Sequence, residues 1–342
     1  MSLADDIASE NDDADLRAAN LRLLRKLDKA NASKQELVDA VYRAAMDAAS
    51  ALTIPPVTKP AKDNRRGKPE VAVAMLSDWQ LGKKTPTYTS EVCEQRVQRY
   101  ADKVASLAEI QRADHPIREA RVWLLGDLVE GELIFPGQSH RIDASLYRQV
   151  AVDGPRILGG FLRTMLASFD RVHVTAVIGN HGAIGGPVRR EMHPETNADT
   201  MVYRITEQLV TDPRLTWTIA DPAGERGWYA IDHIGNYSCL LFHGDQVRGG
   251  FAGFPWYGFG KKVLGWRQVM EPFTDAAAGH WHQPVSFPLN QVTVRVNGTT
   301  ESDNTYALEN LASAGRPCQW LYFVEPERGR VTAEYRVWLD SD

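Results

Sequence analysis

The stretch Val172-His173-Val174-Thr175-Ala176-Val177-Ile178-Gly179-Asn180-His181-Gly182 carries a largely apolar run into an abrupt polar stop. A strand that ends at Gly-Asn-His puts an amide oxygen and an imidazole at its carboxyl end. In open α/β sheets that edge is where ligands bind. Asn180 beside His181 therefore suggests a metal ligand next to a proton donor, although Gly-Asn alone is also an ordinary turn signal. Upstream, two more apolar runs stop in the same way. Residues 70–77 lead into Asp78-Trp79-Gln80, and residues 120–125 lead into Gly126-Asp127-Leu128-Val129-Glu130-Gly131. Helical stretches at 91–115 and 145–168 separate the three runs, and another is expected at 196–211. Near-continuous apolar strands alternating with helices imply sheets covered by helices, an α/β fold.

The second half reads as short strands: 215–219, 228–232, 237–242, 274–278, 284–289 and 291–296. Residues 320–324 and 330–338 close the chain as a hairpin around Gly329. Ahead of the first strand, leucines at helical spacing (Leu16, Leu23, Leu24, Leu27) and a capping box from Ser33 to Glu36 predict two short amphipathic helices. Pro55-Pro56 and the basic run 62–68 then predict a linker. The expected organisation is a helical appendage and basic, Pro-rich linker over 1–69, then one large domain over 70–342.

The 342 residues are 43% hydrophobic and 24% charged, which allows an ordinary core. The net charge of −5 argues against a chain built globally to hold nucleic acid, without excluding a local basic groove. Three scattered cysteines, Cys93, Cys239 and Cys318, make no disulfide framework. The amino terminus is acidic where a secretion signal would be basic, and no run reaches the roughly 18 apolar residues of a membrane span. A soluble, cytoplasmic protein without a membrane partner is expected.

Two further strand ends carry imidazoles: Phe242-His243-Gly244-Asp245, and Gly279-His280-Trp281-His282. In this order the five motifs resemble the calcineurin-like metallophosphoesterase superfamily, whose pattern is Asp-x-His, Gly-Asp-x-x-Asp/Glu, Gly-Asn-His-Asp/Glu, a lone His, and Gly-His-x-His. The run from Gly126 to Gly137 also looks like part of the small subunit of archaeal D-family DNA polymerases, a relative of DNA-repair exonucleases. The resemblance implies an α/β/β/α sandwich of two packed mixed sheets flanked by helices. It also implies two divalent metal ions, about 3.5–4 Å apart in such enzymes. By the family's pattern Asp78, Gln80 and His282 would complete one site and Asn180, His243 and His280 the other, with Asp127 bridging. His181 would protonate the leaving group, and Glu130 would orient the Asn-His turn or a ligand. Oxygen and imidazole donors without thiolate suit manganese first, with iron, zinc, nickel or magnesium as alternatives.

Two positions depart from the pattern. Gln80 stands where the family has His, and Gly182 where it has an acid, which removes one support for His181. Asp245, His140 or His193 are candidate replacements. Between His243 and His280, residues 249–267 interleave aromatics with cations. Trp256, Tyr257, Lys261, Lys262 and Arg267 could stack on bases and meet phosphates, and Lys83, Lys84, Arg141, Arg189 and Arg190 could add phosphate contacts. The alternative is that these aromatics are core beneath a long loop or a face between subunits, as the amino-terminal helices could also be. A nuclease is the leading expectation. A small-molecule phosphatase or cyclic-nucleotide phosphodiesterase is the second, and a metal-poor scaffold the third.

Overall fold

The computed structural model describes residues 55–340, except 133, 136, 185–195, 222–226, 250–252, 306–307 and 310–314. It also describes scattered positions among the first fifty, all of them helical. The chain divides into two compact units, Met1–Asp47 and Ala48–Asp342. Leu16, Leu23, Leu24, Leu27, the Ser33 cap, Arg189, Arg190 and His193 lie outside the described residues.

Within the larger unit, β1 (Val71–Leu76), β2 (Glu119–Leu124), β3 (Arg171–Ala176) and β4 (Leu215–Ile219) are parallel neighbours. The antiparallel hairpin of β10 (Cys318–Glu325) and β11 (Arg330–Trp338) adds to the free side of β1. Helices α1 (Ser90–Gln111), α2 (Gly154–Ser168) and α3 (Ala198–Leu209) connect these strands. The second sheet runs in the order β5, β6, β7, β9, β8. Its strands are β5 (Tyr229–Ile234), β6 (Tyr237–Phe242), β7 (Asp275–Ala278), β8 (Val285–Leu289) and β9 (Val292–Val296). It too is mixed, with β6, β7 and β9 parallel and antiparallel edges. The expected pair of mixed sheets with flanking helices is therefore the observed fold.

Side-chain alternation decides what each face covers. Val71, Val73 and Met75 of β1 meet Tyr237, Cys239 and Leu241 of β6 and Trp320, Tyr322 and Val324 of β10 in one apolar layer between the sheets. On the far side of β6, Leu240 and Phe242 pack with Phe259 and Val263. Those two residues belong to α4 (Trp256–Val269), which overlaps the stretch 249–267 read from sequence as a loop. Gly258, Gly260 and Gly265 lower its intrinsic helicity by about 1 kcal/mol each. Burial of Phe259 and Val263, four apart on one face, outweighs that cost. The linker also proves partly structural. Asp63 is buried and accepts from the Ile117 amide, and Arg214 donates to the Val57 carbonyl. No helix among the described residues is long and apolar enough to cross a membrane.

Charged groups tie the sheets together at two places. Asp232 of β5 accepts from Arg121 (3.0 Å) and from the Trp123 indole (2.7 Å) of β2. Arg295 of β9 donates to Asp275 (2.6 Å) and to Glu334 of β11 (2.8 Å). Removing one partner of such a buried pair costs about 3–5 kcal/mol, because the other charge is stranded. Asp232→Ala should accordingly lower unfolding free energy by about 3 kcal/mol in urea titrations, with the slope unchanged.

Candidate metal centre

Five turns supply the centre, each immediately after a strand of one sheet or the other. Asp78 and Gln80 follow β1, Asp127 and Glu130 follow β2, and Asn180 and His181 follow β3. His243 follows β6, while His280 and His282 follow β7. Asp78, Gln80, Asp127, His280 and His282 all have φ between +50° and +70°. They are five of the seven described non-glycine residues with positive φ. Such conformations cost about 1–3 kcal/mol each and persist where the surroundings enforce them, typically at functional sites.

Asp127 stands at the middle. Its Oδ2 lies 3.1 Å from His243 Nε2 and 3.3 Å from Gln80 Nε2, and its Oδ1 accepts from the His181 amide at 2.7 Å. His243 Nε2 is also 3.0 Å from Asn180 Oδ1 and 3.2 Å from His280 Nδ1. The other His243 nitrogen is fixed by the Leu125 carbonyl at 2.7 Å, which orients the ring. One donor atom each from Asp127, His243 and His280 falls within a 4.8 Å cluster. On the Gln80 side, His282 Nε2 is 3.3 Å from Asp78 Oδ1, and both Asp78 oxygens accept from the His280 amide at 2.9 Å. Gly179 is required by close packing, since a Cβ there would sit 2.1 Å from Asp127 Oδ1.

The residues named from sequence as ligands are thus brought together, and their electrostatics suit a cation. Burial disfavours the charge on Asp127, but His243, His181 and His280 hold its carboxyl far below the usual range. Burial likewise opposes protonation of His243 and His282. Asp127 lifts the first to about 10, and Glu301 with Asp78 lifts the second to about 10. Burial and the neighbouring His243 instead push His280 well down. A field that holds protons so firmly favours a divalent cation, whose binding would release them. The buried oxygen Oε1 of Gln80 has no hydrogen-bond partner among the described residues. An orphaned amide oxygen beside carboxylates and imidazoles is the donor a hard cation takes.

His181 is held apart from this donor set. Its Nδ1 is 2.9 Å from the Glu130 carbonyl and 3.4 Å from the Glu130 carboxylate. Burial lowers its proton affinity, but Asp127 and Glu130 raise its pKa to about 9. Glu130 is thus the support of His181 seen among the described residues. Asp245 is exposed and contributes only its charge, toward His243, and His140 is exposed.

Two buried acids escape sequence reading. Glu301, after β9, contacts His282 Nδ1 at 2.7 Å and Lys83 Nζ at 2.5 Å. Asp199, in the first turn of α3, accepts from the amides of Asp127 and Gly179 at 2.9 Å and of Leu128 at 3.0 Å. Burial and the Asp127 charge raise Asp199 to about 6.

The expected substrate residues divide. Trp256, Tyr257, Lys261 and Lys262 are exposed on α4, and Arg267 is half-buried. Lys262 lies over the Trp266 ring, which packs against Phe242. A chain of rings joins the centre to the start of α4: His280 to Trp281 at 5.3 Å, Trp281 to Phe254 at 6.2 Å, and Phe254 to Trp256 at 4.6 Å. On another side, exposed Lys84, four residues after Gln80, pairs through its backbone amide with the carbonyl of exposed Arg141 at 2.9 Å.

No protein-family model matches the chain, and no curated protein matches it. Among solved structures, it is similar to Vps29 from Entamoeba histolytica, complexed with zinc. That match has 15% identity over 79% of this chain and 99% of that one, with a TM-score of 0.36. It is also similar to YfcE, a phosphoesterase from E. coli, at 12% identity over 79% and 100%, with a TM-score of 0.32. An archaeal phosphodiesterase matches at 9% identity over 78% and 99%, with a TM-score of 0.33. Likenesses this distant carry no argument about activity. The chain's own five motifs are gathered on the strand ends of two facing mixed sheets.

Proposed function

We propose that the chain is a metal-dependent phosphoester hydrolase whose residues around Asp127 would hold two divalent cations. The observation that carries this is the convergence of carboxylate, amide and imidazole donors from five separate turns on one buried carboxylate, with Gln80 Oε1 left without a partner. Asp78, Gln80, Asp127 and His282 would hold one cation. Asp127, Asn180, His243 and His280 would hold the other. Two divalent cations held by these residues would supply a clamp for a phosphate and a lowered pKa for bound water. His181 binds no cation in this reading. Its Nδ1 is engaged by Glu130, so Nε2 is the nitrogen that would give a proton to the leaving oxygen. Oxygen-rich donors with an amide in place of an imidazole favour manganese.

The substrate we favour is a nucleic-acid phosphodiester. Support comes from the Lys84 and Arg141 rim and from exposed Trp256 and Tyr257, which offer charge for a phosphate backbone and faces for bases. A small phosphodiester is the second reading, favoured by the net charge of −5 and by the use of Phe259 and Val263 as core.

Manganese-supplemented assays on labelled single- and double-stranded DNA and RNA, beside bis-p-nitrophenyl phosphate, separate the two. A nuclease should cut at least one polymer, with oligonucleotide binding that weakens steeply with salt. Turnover of the small diester alone would replace the nuclease reading with the second one. No turnover of any substrate by the metal-loaded protein would overturn both.

A further inference from the structure

Asp199 is fully buried and takes no part in the chemistry described above. Its carboxylate reaches two of the ligand-bearing turns at once. Oδ2 accepts from Asp127 and Gly179, and Oδ1 accepts from Leu128 and Val129 (3.4 Å). Gly179 immediately precedes Asn180, which the reading above assigns to one cation alone, and Asp127 is assigned to both. Asn197 completes the brace: its Oδ1 accepts from the Asp199 amide at 2.9 Å, and its Nδ2 donates to the Gly179 carbonyl at 3.2 Å. The same Asn197 explains Gly182. A Cβ at position 182 would lie 2.4 Å from Asn197 Oδ1 and 3.0 Å from the Asp199 amide, so the space for a side chain is already taken.

We infer that Asp199 is the positioning residue of this centre, a carboxylate supplied by α3 that sets the spacing between the Asp127 and Asn180 turns. The inference rests on the two-cation reading above. Four amide hydrogen bonds to one buried charge hold both turns more tightly than water or a neutral side chain would. Asparagine at 199 keeps the volume but offers one acceptor oxygen in place of two. Either the Asp127–Gly179 pair of hydrogen bonds, which ties the two turns together, or the Leu128–Val129 pair is then lost. Residues that orient metal ligands in this way typically cost about 10- to 100-fold in metal affinity when replaced.

The test is manganese binding by the full chain, followed by calorimetry and by electron paramagnetic resonance. Wild-type protein should bind two ions and show an exchange-coupled spectrum. Asp199→Asn should bind the first ion normally, bind the second about 10- to 100-fold more weakly, and lose the coupled signal. Asn197→Ala, which leaves the carboxylate in place, should give a smaller loss in the same direction and serves if Asp199→Asn does not fold. Two-ion binding by wild type with an unchanged coupled spectrum in the folded variant would overturn the positioning role and leave the two-cation reading standing. Binding of fewer than two ions by wild type would overturn that reading and this inference with it.

Discussion

Asp127→Ala should reduce hydrolysis to background, a fall of roughly 10³-fold or more, and lower bound metal from two ions to at most one. The size follows from what the carboxylate does. Its Oδ2 is the atom closest to both donor groups, 3.1 Å from His243 and 3.3 Å from Gln80, so its loss removes a ligand from each side. Metal stabilisation of transition-state charge is worth several kcal/mol, and about 1.4 kcal/mol is a factor of ten in rate. The variant also strands His243 and His181, whose raised pKa values depend first on Asp127 among their partners. Metal content by elemental analysis and turnover of bis-p-nitrophenyl phosphate give the two readouts. Activity within tenfold of wild type in a folded variant would show that the reaction does not run through this carboxylate.

Removal of one central charge is decisive because the site is costly to keep. Asp78, Asp127, Asp199, Glu301 and His243 are all essentially buried within one neighbourhood. Charges withdrawn from water are tolerated only when paired or coordinated. The paired ones here are plain: Glu301 lies between Lys83 and His282, and its carboxyl is held far down against burial by both. Asp199 is surrounded by amide donors. Gln80 Oε1 has no hydrogen-bond partner among the described residues, which leaves it free to ligate a cation.

Much of this was legible in the sequence for a physical reason. Strands buried on both faces must be apolar throughout, and β1 is buried at every position, so its end is marked sharply where Asp78 begins. The ends of β2, β3, β6 and β7 are marked the same way, and the chemistry sits at those marks. What escaped has equally physical causes. Asp199 at the first turn of a helix has the appearance of an ordinary capping acid, and only the fold reveals that its partners are amides on two other turns. Glu301 follows a strand as Asp78 does, but its partner His282 is 19 residues away, a pairing no local pattern encodes. Helix α4 was concealed by its glycines and declared by contacts with Phe242 that exist only after β6 is in place.

His181→Ala should separate proton transfer from metal binding. Its imidazole lies outside the donor cluster, held by the Glu130 carbonyl and carboxylate, so the variant should keep both ions. A general acid contributes about 10²–10⁴-fold, and only where the leaving oxygen needs a proton. A sugar alkoxide leaving from a nucleotide diester needs one, whereas p-nitrophenolate is a stable anion and does not. The loss should therefore be about 10²-fold or more on an oligonucleotide or an alkyl diester, and less than about tenfold on bis-p-nitrophenyl phosphate. Glu130→Gln should move in the same direction by a smaller step, because the backbone carbonyl still holds Nδ1 when the carboxylate charge is gone. Equal losses on both kinds of leaving group would assign His181 to charge stabilisation at the phosphate. Unchanged rates on both, with metal content intact, would remove it from the mechanism altogether.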